Sequence, residues 1–302
     1  MSPALYEYLA SVVPKENILE NEPMSKHTTF KVGGEASCFV KIQTKKQLAQ
    51  IVKYLNLVER EYFILGNGSN LLVGDKGYKG IILDMTEMKQ IHVEGNCLTA
   101  QAGAMLPLVA KEACIHDLSG LEFAAGIPGT VGGAVVMNAG AYEGEMKQVV
   151  NNVTVISAEG EELVFDNETM EFSYRHSSVK NSSFVVVEAE FQLKPGNALE
   201  IKEKMEDFNE RRRAKQPLAY ASAGSTFKRP EGYFAGKLIM DAGLRGYRIG
   251  GAQVSEKHCG FIINDGTACA ADIKELMEEV VQCVKHKMNV ELEPEVILLG
   301  EF

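Results

Sequence analysis

Apolar positions recur at helical spacing in several parts of the chain. Leu48, Ile51, Val52 and Leu55 follow Thr44-Lys45-Lys46-Gln47, which has the form of a capping box, so the pattern predicts a helix over 45–57. Met105–His116 and Leu199–Lys215 read as further helices, and Gly236–Asp241 as a short one. Asp272–Lys287 is amphipathic, with Ile273, Leu276, Met277, Val280, Val281 and Val284 on one face. Short apolar runs at Tyr62–Leu65, Leu71–Val73 and Gly80–Met85 predict strands, as does the valine-rich run Phe184–Leu193. Val153–Ser157 and Leu163–Phe165 flank Glu159-Gly160, a hairpin signal. Glu291–Leu299 is expected to end the chain as a strand, with Glu293 and Glu295 on one face and Val296 and Leu298 on the other. Pro195-Gly196-Asn197 is turn chemistry and marks a boundary between 1–197 and 198–302.

Two stretches break this alternation. From Gly120 to Glu143, glycine recurs at 120, 126, 129, 132, 133 and 140 among small and apolar residues. A core strand is not built this way, because glycine packs nothing and loosens a sheet. A flexible linker carries fewer apolar residues. The remaining reading is a backbone that approaches something large very closely. Upstream, Leu65-Gly66-Asn67-Gly68-Ser69-Asn70 is a second glycine-rich loop after a strand. It lacks the third glycine and the following helix of a Rossmann loop, so that fold is excluded. Successive N–H groups there can still cradle an anion, or form an ordinary tight turn. Asn138-Ala139-Gly140-Ala141-Tyr142 extends a small-residue surface that suits a flat polar-edged ring such as an isoalloxazine.

Composition narrows the function classes. The chain has 302 residues, 45% hydrophobic, enough for about two domains. No apolar run reaches the roughly 18 residues that span a bilayer. The N-terminal stretch lacks a basic start, so a cytoplasmic protein without membrane contact is expected. A formal net charge of −10 argues against nucleic-acid binding. The six cysteines include no CxxC pair and read as reduced thiols, with no metal site. His258-Cys259 has no recognisable third group to orient it and reads as structural.

At this point the motifs match a known family. Thr28-Thr29-Phe30-Lys31-Val32-Gly33-Gly34, Leu65–Val73, Gly120–Tyr142, Ser173-Tyr174-Arg175, Ser222–Lys228 and Pro294-Glu295-Val296 run in order across nearly the whole chain. The sequence closely resembles the UDP-N-acetylenolpyruvoylglucosamine reductases, flavoenzymes of peptidoglycan precursor synthesis. The resemblance implies an α+β fold. Its FAD-binding domain is of the vanillyl-alcohol oxidase/p-cresol methylhydroxylase type, made of two subdomains of about 1–80 and 81–197, and a smaller C-terminal α/β substrate domain follows over 198–302. Little room between Arg175 and Arg211 points to the shorter type of the family, without the extra tyrosine loop. The implied cofactor is non-covalent FAD, NADPH is the co-substrate, and UDP-N-acetylglucosamine enolpyruvate is the substrate. No obligate protein partner is evident.

The resemblance also assigns roles. Hydride reaches the terminal carbon of the enolpyruvyl ether, charge develops towards the carboxylate, and the neighbouring carbon takes a proton. Arg175 would face the carboxylate, Ser225 would give the proton, and Glu295 would orient the carboxylate end. Gly66, Asn67, Gly68, Ser69 and Asn70 are expected to bind FAD, with Gly126, Ile127, Pro128, Gly129, Thr130, Gly132 and Gly133, and with Asn138, Ala139 and Gly140. The backbone at His27 is expected to line the flavin site. Arg213, Lys215, Lys228, Tyr233, Lys237 and Gln253 are candidates for substrate binding. Two alternatives stay open on the residues alone: an oxidase of the same FAD-binding superfamily, and a non-enzymatic nucleotide-binding module.

Overall fold

The helical stretches form where the apolar spacing puts them. The computed structural model describes residues 1–142 and 144–302; Glu143, the end of the glycine-rich stretch, lies outside them. The helix Lys45–Leu57 starts at Thr44, whose side chain accepts the Gln47 N–H while Gln47 reaches back to the Thr44 backbone. Its Leu48, Ile51, Val52 and Leu55 are all fully buried. Leu106–Ile115, Ala198–Lys215 and Ala235–Asp241 are helical within a residue or so of expectation.

The chain divides into two compact units, each made of discontinuous segments: residues 1–20, 38–67 and 80–211 in the first, and 21–37, 68–79 and 212–302 in the second. In the first unit, a five-stranded sheet places Val185–Gln192 at its centre. Val150–Ile156 and then Glu162–Asp166 lie on one side of it, Cys97–Gln101 and then Ile91–Glu94 on the other. All these pairings are antiparallel. Gly160, at φ +80°, turns the hairpin between Val150–Ile156 and Glu162–Asp166. Tyr62–Leu65 pairs in parallel with Tyr78–Asp84. Val153, Val155, Val187, Ala189 and Phe191 join the helical leucines in one continuous apolar core.

The second unit has its own core, drawn from distant parts of the sequence. Phe30, Val32 and Leu72 pack with Ile239, Val254, Ile273, Leu276 and Val280. The helix Ala270–Met288 supplies the apolar stripe that its spacing predicts, with Ile273, Leu276, Met277, Val280 and Val284 buried. Its first turn is capped twice. Asp75 accepts the N–H groups of Ala270 and Ala271, and Asp272 accepts those of Cys269 and Gly251. Burial works against the Asp272 charge, yet these two N–H groups hold its carboxyl below the usual range.

The C-terminal stretch differs from expectation. Only Ile297–Leu299 is a strand, parallel to Leu71–Val73. Pro294 has no N–H to give a ladder, and Glu291–Val296 runs as a loop touching Phe227 through one isolated bridge at Pro294. Val296 is buried, but Leu298 is 43% exposed, so the two do not share a covered face. No helix of the described residues is long and apolar enough to cross a membrane.

Candidate active site

In the first unit the two glycine stretches meet. Asn67 Nδ2 donates to the Pro128 carbonyl at 2.7 Å. A Cβ on Gly66 would overlap the hydroxyl of Thr130. The second stretch is stitched to its neighbours by Leu106 N–H to Gly129 O, Val131 N–H to Ala104 O and Gly132 N–H to Ala102 O, at 2.8–3.0 Å. Gly132 serves this packing, because a Cβ there would sit 3.0 Å from that of Ala102. Gly140 likewise makes room for Gly144 and Glu145. Not every glycine of the stretch is therefore free for a ligand. Gly133 faces more open space, with Thr130 Oγ1 at 3.7 Å as the nearest atom to such a Cβ.

Arg175 belongs to the same unit and is pinned to this stretch. Ser173 and His176 exchange backbone hydrogen bonds at 3.1 Å and close a tight turn. Within it, Arg175 takes φ +56°, a left-handed conformation that costs a non-glycine residue about 1 kcal/mol or more. Asn138, 1% exposed, donates to the Ser173 carbonyl at 3.0 Å and accepts the Lys147 N–H at 2.9 Å. Ser177 Oγ donates to the Val136 carbonyl at 2.8 Å. Asn138 thus ties the arginine turn to the glycine stretch. The Arg175 carbonyl accepts from Lys180, and its guanidinium lies 5.2 Å from the Tyr174 ring centroid.

In the second unit, a short backbone ladder pairs the segment that follows Ser225 with the one that holds Glu295. The Thr226 carbonyl accepts the Glu295 N–H at 2.8 Å, Phe227 bridges Pro294, and the Lys228 N–H donates to Glu293 O at 2.8 Å. Thr226 is wholly buried, while Ser225 beside it is exposed after Gly224 at φ +77°. Asn70, the last residue of the first glycine loop, donates through Nδ2 to the Glu295 carbonyl at 3.0 Å and accepts Ile297 N–H at 3.0 Å. Gly68, at φ +59°, lies so close to the His27 carbonyl that a Cβ would overlap it, and its own carbonyl accepts the Thr29 N–H.

The first glycine loop has donors of the kind an FAD diphosphate needs. Among the described residues, none accepts a hydrogen bond from the backbone N–H groups of Gly66, Asn67, Gly68, Ser69 or Asn70. A row of unspent N–H donors in a loop that tolerates no Cβ at two positions suits a diphosphate. It also answers the chain's acidic balance, since local dipoles replace the missing net positive charge.

The substrate candidates are more dispersed. Lys228 pairs with Glu293, and Lys237 with Asp241 at 2.6 Å. Gln253 is 9% exposed, with its Nε2 on the Gly246 carbonyl and its Oε1 on Arg248. Asn264, opposite Ala252 on the strand beside Gln253, is not a candidate but a strut: its side chain holds Phe30 O, Gly266 N–H and Ala268 N–H. Tyr233 is exposed, and its carbonyl accepts from Arg229. Lys215 and Arg213 sit at the helix end, where the Arg213 carbonyl accepts from Lys257. Arg211 forms an ion pair with Asp207 at 2.8 Å, the i,i+4 pair expected of a solvated helix face. It also lines a cavity of about 620 Å³ in the first unit with Glu122, Phe123, Tyr142, Lys204 and Phe208. None of residues 66–70 or 126–133 lines that cavity. Among the described residues, no group of three or more His, Cys, Asp or Glu side chains is placed to hold a metal ion.

Residues 36–166 match a family of FAD binding domains, and residues 216–299 match the C-terminal domain of UDP-N-acetylenolpyruvoylglucosamine reductase. The chain is 48% identical over 301 residues to the UDP-N-acetylenolpyruvoylglucosamine reductase of Caldanaerobacter subterraneus, covering 100% of both chains. It is 47% identical over 298 residues to that of Clostridioides difficile, covering 98% of each. The crystal structure of the reductase from Thermus caldophilus superposes with a TM-score of 0.80 at 34% identity, over 94% of this chain and 98% of that one. The grass pollen allergen Phl p 4, with glucose dehydrogenase activity, shares the fold alone: 14% identity and a TM-score of 0.52, over 63% of this chain and 44% of its own. The α+β, FAD-binding architecture and the end-to-end likeness leave one assignment: this chain belongs to the UDP-N-acetylenolpyruvoylglucosamine reductase family.

Proposed function

We propose that this protein reduces the enolpyruvyl ether of UDP-N-acetylglucosamine enolpyruvate to UDP-N-acetylmuramate, with bound FAD and with NADPH as the electron source. The observation that carries the reading is the likeness to such reductases across the full length, at 48% identity. Bound FAD would supply two-electron carrier chemistry between NADPH and the terminal alkene carbon. The remaining work falls to side chains. Arg175 holds the substrate carboxylate and stabilises the negative charge that grows there, with a planar guanidinium that is always charged. Ser225 gives its proton to the carbon beside the carboxylate. Glu295 orients the carboxylate end. The atoms balance: one hydride and one proton add across the double bond. The amides of Gly66–Asn70 hold the cofactor diphosphate, and Arg213 and Lys215 attract the phosphates of substrate or NADPH. Action in the cytoplasm, on small soluble substrates, belongs to the same reading, as do roles in cell shape and division through the precursor made.

Ser225→Ala tests the proton-donor assignment. In anaerobic stopped flow, NADPH should bleach the flavin of the variant at the wild-type rate. Reoxidation by the enolpyruvyl substrate should fall by about a hundredfold to ten-thousandfold. Reoxidation at the wild-type rate would remove Ser225 from the mechanism. Fast reoxidation by oxygen, with none by the substrate, would favour an oxidase instead.

A further inference from the structure

We propose that His258 is a positioning residue for Ser225, acting through Gly260 and Thr226. The inference rests on the proton-donor role proposed above.

The loop 255–261 is wound around the imidazole. Ser255 Oγ accepts the His258 N–H at 3.3 Å, and the His258 carbonyl accepts the Phe261 N–H at 3.0 Å. The ring lies edge-on to Phe261, with centroids 5.0 Å apart. Its Nδ1 accepts the Gly260 N–H at 3.1 Å. Two glycines make the slot for it: a Cβ on Gly236 would come within 3.2 Å of Cε1, and one on Gly260 within 3.0 Å.

The Gly260 carbonyl accepts the Thr226 N–H at 2.8 Å. That N–H belongs to the peptide plane joining Ser225 to Thr226, so the bond fixes the rotation of Ser225 about its own Cα–C bond. One residue further on, the Ile262 N–H donates to Thr226 Oγ1 at 3.0 Å and locks the threonine side chain. Upstream, Ala223 is buried in the core, and Gly224, at φ +77° with nothing within 4 Å of where a Cβ would sit, is the joint between it and Ser225. The downstream clamp thus holds the backbone that carries the serine hydroxyl, and His258 shapes that clamp. A proton donor displaced by about 1 Å can lose about a hundredfold in rate.

The ring must be neutral to accept at Nδ1, which leaves its proton on Nε2. Burial favours that state first, and the positive charge of Lys215 adds to it. Lys215, a candidate phosphate ligand, thus sits beside a group that does not repel it.

The test uses the holoenzyme in anaerobic stopped flow. In His258→Asn, the amide oxygen takes the place of Nδ1 and keeps an acceptor for Gly260. In His258→Gln, the amide reaches the Nε2 position and leaves none at Nδ1. His258→Gln should retain FAD and be reduced by NADPH within about twofold of wild type, while reoxidation by the enolpyruvyl substrate falls about tenfold to a hundredfold. His258→Asn should recover that rate to within about threefold. Wild-type reoxidation in His258→Gln overturns the inference. So does an equal loss in both variants, or an equal fall of both half-reactions, which would mark a merely structural ring. If His258→Gln does not fold, His258→Asn decides alone: near-wild-type reoxidation supports the inference, and a large fall overturns it. Ser225→Ala separates the two claims. If that variant reoxidises normally, the proton-donor reading fails; if it is slow while His258→Gln is fast, only the positioning claim fails.

Discussion

Position 68 admits glycine and little else. Its φ of +59° is the left-handed conformation that L side chains avoid, and a Cβ would overlap the His27 carbonyl. Gly68→Ala should therefore displace the loop of unspent N–H donors. The expected outcome is protein that purifies with much less flavin, read from the ratio of visible to ultraviolet absorbance, with a stability loss of about 1–3 kcal/mol. A variant with full flavin content would show that this loop is not the cofactor's grip. At the same scale, sequence and structure part company. The roles proposed for Arg175, Ser225 and Glu295 come only from the family resemblance, since a lone arginine, serine or glutamate carries no periodicity. The sequence pattern places Asn138 on the cofactor side, whereas its buried side chain ties the Arg175 turn to the glycine stretch. Thr226 and the His258–Gly260 clamp had no pattern at all, because they act through single hydrogen bonds between residues far apart in the chain.

Helices were the most legible elements. A capping box and leucines at matching spacing are local, so Lys45–Leu57 and Ala270–Met288 lie where the pattern puts them. The strand expected over Glu291–Leu299 shrank to Ile297–Leu299 because a proline supplies no ladder donor, and Leu298 stayed exposed. The second cap of Ala270–Met288 was not legible: Asp75 reaches the Ala270 and Ala271 N–H groups, both at 2.8 Å, from nearly two hundred residues upstream. Asp75→Ala removes both acceptors and the negative charge at the helix start. It should destabilise the protein by about 1–2 kcal/mol in denaturant unfolding. Asp75→Asn, which keeps one acceptor oxygen, should recover part of the loss. No change in the alanine variant would mean that water replaces the cap at no cost.

The whole chain folds as two units whose segments interleave in sequence. Residues 21–37 and 68–79 join the last third in one unit: Phe30, Val32 and Leu72 share its core, and Leu71–Val73 pairs with Ile297–Leu299, which no local pattern announces. Stability at this scale should respond to pH through His258. Burial, with Lys215, lowers its pKa from 6.5 in the folded chain. As pH falls below about 6.5, the unfolded chain takes up a proton that the native one does not, so stability is lost on that side and is fully present above it. In urea unfolding, His258→Asn should flatten the slope between the two pKa values; an unchanged slope would assign the acid loss to other groups. The chemistry of the whole molecule is tested most directly by anaerobic spectroscopy of the purified wild-type protein. NADPH should bleach the flavin, UDP-N-acetylglucosamine enolpyruvate should restore its colour, and mass spectrometry should find UDP-N-acetylmuramate in equal amount. Protein without flavin, or a bleached flavin that recovers with oxygen but never with that substrate, would contradict the account.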